Sequence, residues 1–141
     1  MLDKSDWSAL IPHKGLMCLL DAVVGWDDTR VHARSDSHRR DDNPLRSDGM
    51  LRALHLCEYG AQAMAVHGAL LARAARGPVT AGYLVSLRAV ELRLERIDDL
   101  DGALDVHGER LLGSDSSWQY AFRIEHAGIE IASGRAAVML R

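Results

Sequence analysis

Hydrophobic and polar positions along the chain predict a short helical turn followed by two strands. Residues 5–11 place apolar side chains on one side of a helical turn that Ser5 caps. Pro12 limits this turn, because the residue before a proline avoids the helical region. Residues 16–26 form an apolar run that ends in β-branched side chains, which is typical of a buried strand, and residues 30–35 form its short partner.

One long apolar helix comes next, after a polar loop at residues 36–48. Residues 49–73 contain no proline, and apolar side chains recur there at three- and four-residue steps. Ser47 and Asp48 are the predicted N-caps of this helix, and the Gly-Pro pair at residues 77–78 ends it. Few of its residues are charged, so other elements must cover most of its circumference.

The remainder of the chain predicts strands and tight turns. A hairpin signal, Ala127-Gly128, separates the last two strands. A sheet that curls around the single helix is the economical way to bury that helix. We therefore expect an α+β fold in which a curved antiparallel β-sheet wraps around a long central α-helix. The predicted strands span residues 79–95, 103–112, 117–126 and 130–140.

Length and composition agree with a single domain of this architecture. The chain has 141 residues, the size of one domain, and we predict a single domain over residues 1–141. Hydrophobic residues make up 48% and charged residues 26%, as in ordinary globular proteins, which argues against a disordered chain. The net charge of -3 provides no general attraction to a nucleic acid or to an anionic membrane.

The expected compartment is the cytoplasm. The N-terminal residues include Asp3 and Asp6 and lack the apolar stretch of a signal peptide. No apolar run approaches the roughly 20 residues that a membrane span needs. Cys18 and Cys57 are too few for a disulfide framework, and no CxxC pair suggests zinc. We expect both cysteines to be reduced and buried.

Two side chains stand out as candidates for acid–base chemistry. Glu58 lies among apolar positions of the predicted helix, and burial there would favour the protonated form that a general acid needs. The alternatives are that Glu58 faces a solvated groove or pairs with His55. His13 follows Pro12 at the entry to the first strand, where an imidazole can serve as a general base. A capping or surface role of His13 remains the alternative.

No other motif in the sequence indicates a known chemistry. The seven histidines do not show the local spacing of zinc ligands. His55 and Glu58 reverse the Glu-x-x-His order of di-iron bundles. The nucleophile elbow, the phosphate-binding loop and the dinucleotide fingerprint are also absent from the sequence. Serine hydrolases, nucleotide hydrolases and dehydrogenases are therefore unsupported.

Two motifs resemble those of the hotdog-fold 3-hydroxyacyl-acyl carrier protein dehydratases, and the resemblance covers nearly the whole chain. Residues 11–21, IPHKGLMCLLD, resemble the family's N-terminal motif, and residues 58–62, EYGAQ, resemble the acidic motif of its central helix. Residues 82–93 resemble the strand after that helix. The family's Gly-His-Phe loop and Pro-Gly pair are absent, so the chain is more similar to the divergent dehydratases of aryl-polyene gene clusters than to the housekeeping enzyme.

The resemblance implies a hotdog fold and a lyase that converts 3-hydroxyacyl thioesters to trans-2-enoyl thioesters, in fatty-acid or polyene-like biosynthesis. His13 would take the C2 proton and Glu58 would protonate the leaving hydroxyl, with the two residues contributed by different chains of a dimer. Backbone N–H groups near residues 49–53 would bind the thioester oxygen, and Gln62 would orient Glu58. The residues expected to contact the substrate are Gly49, Met50, Ala53, Leu54, Gln62, Gly82 and Tyr83.

The same resemblance implies the partners of the protein. The substrate would be a thioester of acyl carrier protein or of CoA, and the phosphopantetheine arm would belong to it, so no metal or other cofactor is expected. Pairing of sheet edges predicts a homodimer or a hetero-oligomer with a related hotdog subunit. Arginines at positions 39, 40, 73 and 76 are candidates for contact with an acidic carrier protein, or simply solvated surface charges.

Two other functions remain open at this point. A hotdog thioesterase acting on acyl-CoA or acyl carrier protein would use the helix carboxylate to activate water and would not require His13. A non-catalytic acyl-binding subunit of a synthase complex would bind the carrier protein without turnover.

Overall fold

The computed structural model of the protein describes residues 1–78, 82–114 and 116–140. These residues form one antiparallel sheet of seven strands and one long helix. The strands are β1 (Leu2–Asp3), β2 (Ala22–Trp26), β3 (Arg30–Ser35), β4 (Gly82–Leu92), β5 (Leu104–Gly113), β6 (Ser117–His126) and β7 (Ile129–Leu140). The helices are α1 (Lys4–Trp7) and α2 (Leu56–Ala74), with 3₁₀ turns at Ser8–Leu10, Gly15–Met17, Ser37–Arg39 and Ala53–His55.

The strand order of the sheet is β1-β2-β3-β5-β6-β7-β4. The strand that follows the long helix, β4, therefore lies at the far edge, next to the last strand of the chain. Helix α2 contacts β3, β5, β6 and β7. The predicted α+β architecture, an antiparallel sheet around a central helix, is confirmed, and it is the arrangement that the resemblance to hotdog-fold proteins implied.

The hairpin between β6 and β7 turns at the two predicted residues. Ala127 has φ 52° and Gly128 has φ 80°, so both occupy the left-handed region. Two consecutive positive φ values are the geometry of a type I′ turn, whose twist matches that of the flanking strands. The prediction of a tight turn at Ala127-Gly128 is confirmed.

Two glycines of α2 set how closely the helix approaches β6. A Cβ atom on Gly60 would lie 2.8 Å from the ring of Phe122, and one on Gly68 would lie 2.6 Å from the ring of Trp118. Eight helical residues span about 12 Å, and four strand residues span about 13 Å. Because these lengths agree, α2 runs alongside β6 in the opposite direction, and the side chains on the inner face of β6 follow the helix turn by turn.

The long helix begins later than the sequence predicts. Asp48 has φ 54° and Gly49 has φ 74°, which an α-helix cannot accommodate. Ser47 and Met50 instead exchange two backbone hydrogen bonds of 2.9 and 3.0 Å across a tight turn. The predicted caps Ser47 and Asp48 are therefore wrong, and the helix starts at Leu56 after the 3₁₀ turn.

The predicted strand at residues 16–26 is also corrected. Only Ala22–Trp26 pairs in the sheet, and Gly15–Met17 forms a 3₁₀ turn. The side chain of Gln62 explains the difference, because it binds the backbone of this segment where a neighbouring strand would otherwise do so. The first helical turn likewise starts one residue before Ser5, at Lys4 with Asp3 as its N-cap.

A buried hydrogen-bond network joins α2 to the polar loop at residues 36–48. Tyr59 Oη lies 2.8 Å from Ser37 Oγ and accepts a hydrogen bond of 3.2 Å from Asn43 Nδ2. Asn43 Nδ2 also donates to the carbonyl of Ser37 at 3.0 Å. All three side chains are buried. The loop is therefore anchored to the first turn of the helix and is not a wholly solvated segment.

Strand β4 is an apolar edge. The sequence predicts a strand over residues 79–95, of which the structure has Gly82–Leu92, while residues 79–81 lie outside the described part of the chain. Every residue of β4 is exposed, and these include Leu84, Val85, Leu87 and Val90.

Within the residues that the structure describes, no helix is long and apolar enough to cross a membrane.

Candidate functional site

An apolar cavity of about 720 Å³ lies between α2 and the strands around it. Side chains of α2, of β4 and of β6 form its walls, together with the segment that follows α1. The residues that line it are Leu10, Ile11, Pro12, His13, Glu58, Ala61, Met64, Ala65, Gly68, Ala69, Leu71, Ala72, Pro78, Gly82, Tyr83, Leu84, Trp118, Tyr120 and Val138. Its size is that of a site for a small organic ligand.

His13 and Glu58 both line this cavity within a single chain. The sequence resemblance implied that the two residues come from different chains of a dimer. A single chain places the segment after α1 and the first turn of α2 on the same cavity, so a partner subunit is not needed to bring the two residues together. The chain thus places an imidazole and a carboxyl group, and few other polar groups, on one apolar wall.

Partial burial sets the charge of His13. Burial lowers the pKa of His13 below its ordinary value of 6.5, and the carboxylate of Glu58 opposes this shift only in part. His13 is therefore neutral at neutral pH. Its Nδ1 atom is buried and has no hydrogen-bond partner among the described residues. The Nε2 atom is consequently the one available to a ligand in the cavity.

Glu58 occupies a different setting from the predicted one. It lies in the first turn of α2 and is half-buried, because the helix starts at Leu56 and not near residue 49 as the sequence predicted. Its side chain faces the cavity, which corresponds to the alternative of a groove-facing carboxylate. Among the described residues, no ion pair joins Glu58 to His55.

Gln62 does not orient Glu58, which the resemblance had implied. Its Oε1 atom accepts a hydrogen bond of 2.8 Å from the N–H of Leu19, and its Nε2 atom donates to the carbonyl of Met17 at 2.6 Å. Gln62 is fully buried. Its amide therefore fixes the segment that begins just after His13. Gln62 influences the position of His13 only by holding that segment in place.

The other predicted contact residues fall into two groups. Gly82 and Tyr83 lie on the wall of the cavity. Gly49, Met50, Ala53 and Leu54 do not line it, because the turn at residues 47–50 and the late start of α2 carry them elsewhere.

The expected oxyanion donors near residues 49–53 are largely occupied. The N–H of Met50 bonds to the Ser47 carbonyl at 3.0 Å, and that of Ala53 bonds to the Glu95 carbonyl at 2.9 Å. The N–H of Leu51 bonds to Asp98 Oδ1 at 2.9 Å. A substrate oxygen would have to displace these partners, so the expectation that this stretch polarises the thioester is corrected.

Several cavity residues were missed by sequence reasoning. A face of small side chains on α2, at Ala61, Ala65, Gly68 and Ala72, recurs at helical spacing and was the available signal. Trp118 and Tyr120 on β6 gave no such signal, because their position opposite α2 depends on the register of the sheet. Together with Tyr83, they provide the aromatic part of the cavity wall.

Tyr120 is held by a buried histidine. The Nε2 atom of His67 lies 2.7 Å from the carbonyl oxygen of Asp27, which can only accept, so Nε2 carries the hydrogen. The Nδ1 atom of neutral His67 then accepts a hydrogen bond of 2.6 Å from Tyr120 Oη. Burial raises the pKa of Tyr120 well above its ordinary range, so the phenol stays protonated.

His32 and His107 lie outside the cavity and have structural partners. His32 and His107 stack on the outer face of the sheet with ring centroids 4.3 Å apart. His32 lies 2.7 Å from Asp105, and His107 lies 2.9 Å from Glu125. In the described part of the chain, no group of three or more His, Cys, Asp or Glu side chains is placed to hold a metal ion.

Three of the four arginines predicted to dock a carrier protein, Arg39, Arg40 and Arg73, have partners. Arg73 Nη1 donates to the carbonyl of Asp6 at 2.7 Å, and Arg39 lies 4.0 Å from Asp101. Arg40 lies 3.8 Å from Asp42. These contacts are on the surface, where ion pairs contribute little to stability, and they leave the docking role a prediction.

Comparison with known proteins identifies a family of dehydratases. The family model of the ApeP-like proteins, described as ApeP dehydratase, matches residues 5–140. A solved structure, the dehydratase heterocomplex ApeI:P from Xenorhabdus doucetiae, aligns with a TM-score of 0.86 and 25% sequence identity. The alignment covers 95% of this chain and 90% of that chain.

Other solved structures share the fold at lower identity. AziG of S. sahachiroi aligns with a TM-score of 0.63 and 16% identity, over 84% of this chain and 88% of that chain. A hypothetical thioesterase from Streptococcus pneumoniae TIGR4 aligns with a TM-score of 0.62 and 13% identity, over 84% of this chain and 86% of that chain. These two likenesses concern the fold alone. No curated protein shows a significant match to the chain.

Proposed function

The chain belongs to the ApeP-like dehydratase family, and we propose that it removes water from a 3-hydroxyacyl thioester to give the trans-2-enoyl thioester. The observation that carries this proposal is the pairing of His13 with Glu58 on one apolar cavity. A base and an acid are the two groups that such an elimination requires. Both are present on the cavity wall, and His13 is in the neutral form that can accept a proton.

His13 and Glu58 have complementary roles in the proposed reaction. The Nε2 atom of His13 takes the proton from C2, which is acidic because the thioester carbonyl delocalises the charge that remains. The electron pair of the broken C2–H bond forms the C2=C3 double bond as the C3–O bond breaks. Glu58 donates the proton that converts the leaving hydroxyl into water. Transfer of the C2 proton from His13 to Glu58 then restores both groups.

The apolar wall of the cavity supports this assignment. Apolar side chains such as those of Ala61, Met64 and Ala65 line the cavity that holds the two polar groups, and a substrate that fills it would displace water from them. Exclusion of water strengthens the interaction of each group with the developing charges. The same walls suit the hydrocarbon part of an acyl thioester.

An assay with two readouts tests the proposal. We expect the protein to form enoyl absorbance from a 3-hydroxyacyl thioester without releasing free thiol. His13→Ala and Glu58→Gln should each lower the rate by about 10²–10⁴-fold, the contribution of one positioned acid or base. His55→Gln and Glu109→Gln, which lie off the cavity, are the matched controls and should keep the wild-type rate.

The alternative functions give different results in that assay. A thioesterase would release free thiol and would not depend on His13 for proton transfer from C2. A non-catalytic subunit would bind the thioester and produce neither signal. Either result would contradict the proposed dehydration.

We also propose that β4 pairs with a second subunit of the same fold. The strand is the outer, apolar edge of the described sheet, in which Val85 is 51% and Leu87 39% exposed, and such edges are normally covered. The similar ApeI:P structure is itself a dehydratase heterocomplex. Native mass spectrometry of the protein alone distinguishes a homodimer from a chain that needs a related subunit. Leu87→Lys should weaken the assembly, and Leu112→Lys, exposed on β5, should not.

The substrate carrier and the pathway belong to the proposal as well. We expect the acyl group to arrive on the phosphopantetheine arm of an acyl carrier protein or of CoA, and the enoyl product to enter the building of a fatty-acid or polyene chain. The proposed elimination uses only the side chains of the protein, with no metal or redox cofactor. Rates on matched carrier protein and CoA thioesters would identify the carrier.

A further inference from the structure

We propose that Trp118 forms the wall against which the distal part of the acyl chain lies, and that it thereby sets the chain-length preference of the enzyme. This inference rests on the proposed function and adds a specificity-determining residue to it. Trp118 lines the same cavity as His13 and Glu58. It faces Gly68 in the second half of α2, whereas Glu58 lies in the first turn of that helix.

The distance between the two ends of the cavity suits an extended acyl chain. Gly68, which faces Trp118, follows Glu58 by ten residues of α2, or about 15 Å along the helix axis. An extended hydrocarbon chain advances about 1.25 Å per carbon–carbon bond of ~1.5 Å. Because Glu58 acts at C3, the roughly twelve carbon–carbon bonds that span this distance belong to an acyl group of about fifteen carbon atoms.

The position of Trp118 depends on the absence of a side chain at Gly68. A Cβ atom at Gly68 would lie only 2.6 Å from Cζ3 of the indole, closer than any normal contact. The ring therefore rests directly on the helix backbone. Any larger residue at position 68 would force Trp118 to move and would reshape this end of the cavity.

Three contacts hold the indole in place. Its Nε1 atom donates to the carbonyl of Ser114 at 3.1 Å. The guanidinium of Arg110 lies 5.1 Å from the ring centroid, in cation–π contact. The ring centroid of Tyr120 lies 6.2 Å from that of Trp118, and the hydroxyl of Tyr120 is itself held by His67. The wall is thus preorganised, which lets it discriminate between chains that do and do not reach it.

Turnover of a chain-length series tests the inference. In the wild-type enzyme, we expect kcat/KM to rise between four-carbon and sixteen-carbon 3-hydroxyacyl pantetheine thioesters. Trp118→Ala should lower kcat/KM about tenfold for the sixteen-carbon substrate, the factor given by loss of on the order of 55 Å² of buried apolar contact. The four-carbon substrate, which does not reach the wall, should keep its rate within about twofold.

Two further variants keep the test independent of folding. Trp118→Phe retains an aromatic wall and should give an intermediate chain-length profile, with its fold verified by circular dichroism. Trp26→Ala removes a tryptophan of β2 that lies off the cavity and should leave the profile unchanged. An equal fall for all chain lengths in Trp118→Ala, or an unchanged profile, would overturn the inference.

A binding measurement separates this inference from the proposed function. Alkyl pantetheine thioethers of four and sixteen carbons cannot react, and their affinity can be measured by calorimetry. Trp118→Ala should lose about tenfold in affinity for the sixteen-carbon thioether only. Binding that shows this pattern without any dehydration would contradict the proposed function and support the role of Trp118. Dehydration by a protein that does not show this binding pattern would support the proposed function and contradict the role of Trp118.

Discussion

The side-chain amide of Gln62 binds the backbone of Leu19, with Oε1 accepting the N–H hydrogen bond at 2.8 Å across 43 residues of sequence. The same amide donates to the carbonyl of Met17 at 2.6 Å. One buried side chain on the central helix therefore takes the place of a strand partner for the segment that carries His13 into the cavity. The geometry of the candidate base depends on this contact.

Loss of that amide should destabilise the fold. Gln62→Ala leaves the buried N–H of Leu19 and the partly buried carbonyl of Met17 without these partners, and a fully buried unpaired group costs about 1–3 kcal/mol. We expect the free energy of unfolding in urea to fall by roughly 2–4 kcal/mol. Gln119→Ala, an exposed position on β6, is the control and should change it by less than about 0.5 kcal/mol. Equal effects of the two variants would contradict the role of Gln62.

The placement of His13 and Glu58 in one chain predicts the result of mixing inactive variants. If His13→Ala and Glu58→Gln chains are co-expressed, every site in a mixed dimer still carries one lesion, so activity should stay at the level of the separate variants. A site shared between chains would instead restore about a quarter of the wild-type sites. Enoyl formation is measured on samples in which native mass spectrometry has detected mixed dimers. Recovery to that level would contradict the single-chain site.

Buried histidines should make the protein less stable in mild acid. Burial lowers the pKa of His38 and of His67 below the ordinary value of 6.5. Well above pH 6.5, both residues are neutral in the folded and unfolded states, so they contribute no pH dependence to the free energy of unfolding. As the pH falls below it, the unfolded chain binds protons first, so stability is lost at up to about 1.4 kcal/mol per pH unit for each proton.

Urea unfolding between pH 7.5 and 5.5 measures this loss. We expect the free energy of unfolding to be nearly constant down to about pH 6.5 and then to decline. His67→Gln should reduce the slope of the decline, even though it also lowers the stability at neutral pH. An unchanged slope in that variant would show that His67 takes up its proton equally well in the folded state.

The hairpin between β6 and β7 offers a stabilising substitution. Ala127 holds φ 52° at the first position of a type I′ turn, a conformation that asparagine tolerates better than alanine. Ala127→Asn should raise the free energy of unfolding by about 0.5–1 kcal/mol. The control is Ala75→Asn at the end of α2, where φ is -82° and no gain is expected. Thermal unfolding of the two variants side by side checks the difference.

Local sequence patterns determined most of the secondary structure. The predicted strands at residues 30–35 and 117–126 coincide with β3 and β6, because alternation of buried and exposed side chains has the period of a strand. The Ala127-Gly128 turn follows from the residues that accept a positive φ. The two residues chosen for acid–base chemistry, His13 and Glu58, both line the cavity, and the motifs around them were sufficient to select them.

Only the tertiary structure decided how these parts meet. The helix starts at Leu56 because the left-handed turn at Asp48 and Gly49 is held by distant contacts, such as that of Leu51 with Asp98, which helical periodicity does not contain. In the sequence, Gly68 is one of several small residues at helical spacing. The structure shows that it makes room for the ring of Trp118, fifty residues later in the chain. The sequence determined which elements form, since that depends on neighbours along the chain. The cavity, the contacts of Gln62 and the position of Trp118 depend on how α2 lies against the sheet, which is a property of contacts between elements.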